Sequence, residues 1–265
     1  MLYLSYILLG LIPSFVWLLF YLRKDAHPEP KRTILKIFFL GMAAAIFAVI
    51  AETLVKNLLE NIYPASGKLR MLIELLYISF GVGFIEEVSK YLAVEKKYII
   101  AEKGVLAESE FDEPLDLMLY MVIAALGFAA LENILKICIG DLPLVGAFLI
   151  LSLRFLGATL LHALCSGVLG FFLALSFLNP KKNFYFFMLG LTMATFLHGA
   201  FNYSIIKIEE SLMVVNDSLM IVNSSLFVLS LMTLIIILMG LAVFVAFGFE
   251  KLKKMASICK MEYEA

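Results

Sequence analysis

Residues 71–94 read MLIELLYISFGVGFIEEVSKYLAV, apolar except at Glu74, Glu86, Glu87 and Lys90. About 20 helical residues cross a hydrocarbon core of roughly 30 Å, so the run is long enough to span a membrane. An ionised side chain near the bilayer centre costs about 2.5–3.5 kcal/mol or more, and such residues mark function by default. Whether this run lies in a membrane decides the fold.

Composition answers that question. The chain has 265 residues, 63% hydrophobic and only 16% charged, with a mean hydropathy of +0.98; soluble domains carry about 25% charged residues. An all-α, polytopic transmembrane bundle follows. The net charge of −1 excludes a nucleic-acid binder that works through a basic surface. Cys138, Cys165 and Cys259 lack metal or redox spacing. Nothing basic precedes the first apolar run and Arg23-Lys24 follow it, so that run is expected to stay as a helix rather than be cleaved as a leader.

Seven runs qualify as spans: 2–22, 33–55, 71–94, 115–138, 155–178, 184–206 and 224–249. Residues 141–153 are also apolar but follow the turn signal Gly140-Asp141-Leu142-Pro143. Joined to the next run they exceed one straight crossing, so they predict a short interfacial or re-entrant helix, or an eighth span. Segment 207–223 predicts a polar outer connection with some amphipathic helix. Residues 1–265 are expected to form one membrane domain, with core motifs over 71–206, a last span at 224–249 and a basic tail at 250–265.

Loop charge sets the expected orientation. With the N-terminus outside, Arg23, Lys24, Lys31, Arg32, Lys36, Lys96, Lys97, Lys103, Lys181 and Lys182 are cytoplasmic, as are Lys251, Lys253, Lys254 and Lys260 of the tail. Only Lys56, Lys68, Arg70, Lys136, Arg154 and Lys207 lie outside.

Inside the spans the polar residues are few. Besides Glu86, Glu87 and Lys90 they include Glu132 and Asn133 in FAALEN, His162 in RFLGATLLHALCSG, and His198 with Asn202 in FLHGAFNY. Two of the three histidines thus sit within spans. At 1.5 Å of rise per residue, Glu86 falls about 5 Å to the inner side of the midplane, His162 and His198 about 5–6 Å to the outer side and Glu132 about 9 Å outward, all within the middle half of the bilayer. His198 and Asn202 share a helix face, as do Glu86 and Lys90, whereas Glu86 and Glu87 point about 100° apart. Taken singly, each feature also has a structural reading. A Glu–Lys pair can be a neutralised link, His198 and Asn202 can be interhelical hydrogen-bonding glue, and Arg154 can snorkel from a helix end. Recurrence of acids and histidines at mid-membrane depth on separate helices favours a site.

A carboxylate in a low-dielectric pocket suits general acid–base work, and imidazoles can hold a water against it or donate to an oxyanion. That chemistry is a hydrolase buried in the membrane. Neither a Gly-x-Ser-x-Gly elbow nor His-Glu-x-x-His is present. Two His and two Glu on different helices also form a possible metal set.

Glu-Glu-x-x-Lys at 86–90, Phe-x-x-x-Glu at 128–132, the His162 segment and His-x-x-x-Asn at 198–202 resemble the PrsW family of intramembrane proteases, which is similar to the CAAX-prenyl protease and bacteriocin-processing group. YLRKDAHPEP after the first span is similar to that family's first cytoplasmic loop. The resemblance covers residues 20–205 and implies a glutamate-dependent, metal-independent endopeptidase in the cell membrane, with zinc not excluded. It implies that Glu86 activates the water, with Glu87 assisting or structural, that His162 and His198 are the family histidines, and that Asn202 is the oxyanion donor. Glu132 matches the second-motif acid, where the prenyl-protease branch has histidine. Lys90, Arg154 and Asn133 are expected to support them. The implied partner is a single-pass membrane protein, such as an anti-sigma factor, in the lipid bilayer. The alternatives are a zinc-dependent membrane protease, a proton-coupled transporter and a non-catalytic scaffold; no inverted repeat of broken helices supports the transporter.

Overall fold

A helix that is apolar on every side is either a buried core helix or a membrane span. Leu117–Ala130 is such a stretch, and in the computed structural model of the chain every residue of it is buried by other helices. The structure describes residues 2–25, 28–62, 67–102, 114–140, 143–215 and 218–263. In order they form α1 (Leu2–Leu22), α2 (Lys31–Ile62), α3 (Lys68–Leu76), a π-helical turn (Tyr77–Gly81), α4 (Val82–Glu102), α5 (Pro114–Ile139), α6 (Leu144–Leu156), α7 (Ala158–Leu178), α8 (Asn183–Glu210), strands β1 (Leu212–Val215) and β2 (Ser218–Ile221), and α9 (Ser224–Tyr263). Helix α5 is the axis, with α1, α2, α7 and α9 packed around it and α4 between α2 and α8.

The chain is an all-α polytopic membrane protein. Among the described residues, six helical stretches are long and apolar enough to cross a membrane. The run from α3 to α4, expected as a further span, is not among them; it carries Glu74, Glu86, Glu87 and Lys90. Helices α6 and α7 form one apolar stretch of 35 residues, broken at Gly157, whose φ and ψ of −97° and −101° leave the helical region. Residues 144–156 are thus a half-helix docked on α1 and leading into the span, which matches the expected short helix. Beside the bend, Trp17 Nε1–H donates to the Phe155 carbonyl at 2.8 Å.

The connection after α8 departs from expectation. Helix continues to Glu210, but an antiparallel hairpin follows in place of further amphipathic helix, with Leu212 opposite Ile221. Met213, Val214, Val215, Met220 and Ile221 favour extended backbone. Asn216 and Asp217, His27, Lys103, and the turn-signal residues Asp141 and Leu142 lie outside the described residues. So do the side chains of Lys96, Lys97, Cys259 and Lys260.

Two glycines set how closely α2 approaches α5. A Cβ on Gly41 would lie 2.0 Å from the Ala124 carbonyl oxygen, and one on Gly127 2.0 Å from that of Phe38. Small residues let membrane helices approach at backbone contact. Gly127→Ala is therefore expected to lose about 1–3 kcal/mol of stability, the usual range for overpacking, read as a lower unfolding temperature in detergent. Phe128 and Glu132, which follow on the same helix, would move with it.

Candidate active site

Buried charge persists only where partners offset its desolvation, and four helices supply those partners here. From α4, Glu87 and Lys90 are fully buried and Glu86 is 5% exposed. Lys90 Nζ donates to Glu87 Oε1 at 2.8 Å and to Glu86 Oε2 at 3.3 Å, so both acids reach it from successive positions three and four residues away. Its ammonium lies 4.4 Å from the centre of the Phe128 ring of α5, in cation–π reach.

Each histidine enters from its own helix and is gripped at one nitrogen. His162 of α7 has Nε2 2.7 Å from Glu132 Oε2. His198 of α8 has Nδ1 3.0 Å from Glu87 Oε1. A carboxylate oxygen accepts, so those nitrogens carry the hydrogens, and the opposite nitrogens present lone pairs. Both lone pairs face Glu86: its Oε2 is 3.5 Å from His162 Nδ1 and 3.6 Å from His198 Nε2. Lys90 Nζ, 2.8 Å away, also points at His162 Nδ1. The two imidazoles meet edge to face at 5.1 Å.

An outer ring holds this centre in place. Glu132, reached by His162, also accepts from Arg154 Nη2 at 3.0 Å. Arg154 Nε donates to Asn133 Oδ1 at 2.5 Å, and Asn133 Nδ2 to Thr159 Oγ1 at 3.1 Å. The bend at Gly157 makes this possible, because it lets Arg154 at the end of α6 turn back towards α5. Arg154 is thus a clamp on Glu132 and Asn133 rather than a snorkelling residue.

Of the residues expected from sequence, Glu86, Glu87, Lys90, Glu132, Asn133, Arg154, His162 and His198 form one connected network. Asn202 does not join it: one turn beyond His198, it is half-buried and makes no hydrogen bond to these groups among the described residues. Ser166 was missed, although its Oγ donates to Glu87 Oε2 at 2.8 Å. The signal was its position four residues after His162, on the same face of α7.

The donor set also suits a divalent cation. Glu86, His162 and His198 each offer one ligand atom, all within 4.8 Å of one another, and two His with one Glu is a known catalytic zinc set. Metal-bound histidines usually donate their other N–H to a carboxylate or carbonyl, which is how Glu132 and Glu87 hold these two. Lys90 occupies the same His162 lone pair, so an ion binding there must displace its ammonium.

Comparison with known proteins identifies the family of the chain. The sequence profile described as PrsW family intramembrane metalloprotease matches residues 29–240. Protease PrsW of Bacillus subtilis (strain 168) is 28% identical over 202 residues, covering 75% of this chain and 82% of that protein. Protease PrsW of Geobacillus kaustophilus (strain HTA426) is 27% identical over 190 residues, covering 72% and 74%. A third, from Clostridioides difficile (strain 630), is 31% identical over 132 residues, or 49% of each chain. No solved structure matches.

Proposed function

The chain belongs to the PrsW family of intramembrane proteases, and on that premise we propose that it hydrolyses a peptide bond of a single-pass membrane protein with water activated by Glu86. The observation that carries the reading is the convergence of two imidazole nitrogens, 3.5 and 3.6 Å away, on one oxygen of a nearly buried carboxylate. Lys90 Nζ already donates to His162 Nδ1 and to Glu86 Oε2, so the lone pair left facing Glu86 is that of His198 Nε2, and in this reading a water beside Glu86 donates to it. Glu86 takes its proton as the oxygen attacks the scissile carbonyl, then returns it to the departing amine. Glu87 and Glu132 keep the two imidazoles in the tautomers that face Glu86. The family resemblance assigns to Asn202, one turn from His198 but outside the hydrogen-bonded network, the donation to the developing oxyanion.

Loss of a cleavage fragment tests this directly. Single-pass proteins, anti-sigma factors first among them, are co-expressed with wild type or with Glu86→Gln; a fragment of unchanged abundance in the variant would overturn the reading. The proposed orientation, with the N-terminus outside and Lys181-Lys182 cytoplasmic, is checked by cysteine labelling at Lys181.

The three ligand atoms within 4.8 Å favour a second reading with a metal. Glu86, His162 and His198 would hold a zinc-type ion, which when bound supplies Lewis acidity and lowers the pKa of a water. Chelation separates the two readings. Turnover that survives chelation, with less than one equivalent of metal in the purified protein, supports the metal-free centre. Turnover lost to chelator and restored by zinc, with zinc bound by wild type and not by His198→Ala, establishes the second.

A further inference from the structure

Beside the hydrolytic centre lies a cavity of about 520 Å³ between the Lys181 ends of α4, α7 and α8. It is lined by Tyr91, Val94 and Glu95 of α4, Leu173 of α7 and Phe187 of α8, with Lys181 at its rim. These are the same helix faces that build the centre. Tyr91, Val94 and Glu95 follow Glu87 by four, seven and eight residues, and Leu173 follows Ser166 by seven. Phe187 precedes His198 by eleven residues, close to three full turns. The lining therefore begins about 6 Å from the level of Glu87 and reaches about 16 Å beyond His198, which is the length of three to five extended residues.

The walls are amphiphilic. Tyr91 and Phe187 pack their rings at 4.8 Å, Val94 and Leu173 are aliphatic, and Tyr91 Oη–H donates to Glu95 Oε1 at 3.0 Å, fixing one acid in an apolar wall. A phospholipid headgroup needs converging cations, whereas this cavity has an acid within and a lysine only at the edge. A polypeptide running from the hydrolytic centre towards the Lys181 side would pass along these helix faces. Resting on the proposed proteolytic reading, we propose that the cavity takes the part of the substrate polypeptide flanking the scissile bond on the Lys181 side. An apolar residue of that flank packs on Tyr91, Leu173 and Phe187, and a basic residue meets Glu95.

The test uses full-length protein in lipid nanodiscs and synthetic peptides with an apolar span of about 20 residues and a flank that is Leu-Arg-rich or Leu-Glu-rich. Wild type is expected to prefer the basic flank. Glu95→Lys is expected to raise KM for it about tenfold and lower KM for the acidic flank, with kcat little changed, as for loss of uniform binding. A photoreactive side chain at Lys181 in Glu86→Gln protein gives a readout independent of turnover and should cross-link the basic flank preferentially. Equal KM for both flanks in wild type and Glu95→Lys, together with no flank cross-link, would overturn the inference while Glu86-dependent cleavage still stood. Cleavage that persists in Glu86→Gln would instead remove the proteolytic reading.

Discussion

Glu86→Gln is expected to lower turnover of a membrane-anchored substrate by about a thousandfold or more, within the range that general acid–base groups supply, while the protein still folds. The substitution keeps the side chain's shape, removes the charge and replaces one acceptor oxygen by an NH2 donor. Glu86 is the one acid onto which both histidine lone pairs converge, so its amide can neither take a proton from water nor serve as a full ligand. Stability changes less, because Lys90 keeps its shorter contact, at 2.8 Å, with Glu87. Single-turnover cleavage in proteoliposomes measures the rate, and thermal unfolding of the same preparation checks the fold. Turnover within tenfold of wild type would place the chemistry elsewhere.

Glu87→Ala should do the reverse, damaging the fold first. Glu87 accepts from Lys90 and Ser166 and holds His198, and both Glu87 and Lys90 are fully buried. Glu87→Ala leaves Lys90 only its longer, 3.3 Å contact with Glu86, and breaking a buried pair by removing one partner costs about 3–5 kcal/mol. A large fall in unfolding temperature is expected, with activity lost as a consequence. Removing the stranded charge as well, in Glu87→Ala/Lys90→Met, should restore much of the stability but not the activity, since His198 still lacks the acceptor that sets its tautomer. Equal unfolding temperatures for wild type and Glu87→Ala would show that Glu87 is not the anchor of Lys90.

Much of this was legible in the chain because hydrophobic length is a local property. The spans beginning at Leu2, at Pro114 and near Ser224 follow directly from runs that only a bilayer accommodates. Acids and histidines within such runs stand out for the same reason, which is how Glu86, Glu132, His162 and His198 could be named without coordinates. The strands Leu212–Val215 and Ser218–Ile221 were not legible: beside the acids of 207–210, short mixed runs carry no firm period. Ser166 was hidden because one serine in an apolar helix usually bonds its own backbone, as Ser204 does to the Ala200 carbonyl.

Sequence by itself determined that this is a polytopic helical membrane protein with acids and histidines in the middle of its spans, since hydropathy and helical rise need no knowledge of neighbours. Tertiary structure alone decided which nitrogen faces which carboxylate. It turned Arg154 back onto Glu132 through the bend at Gly157, gave Glu87 to Lys90, Ser166 and His198, left Asn202 outside the network, and aimed both imidazoles at Glu86. Those pairings depend on how four helices are rotated against one another, and that rotation is set by close packing, such as the backbone contact at Gly41 and Gly127, which no single helix's sequence contains.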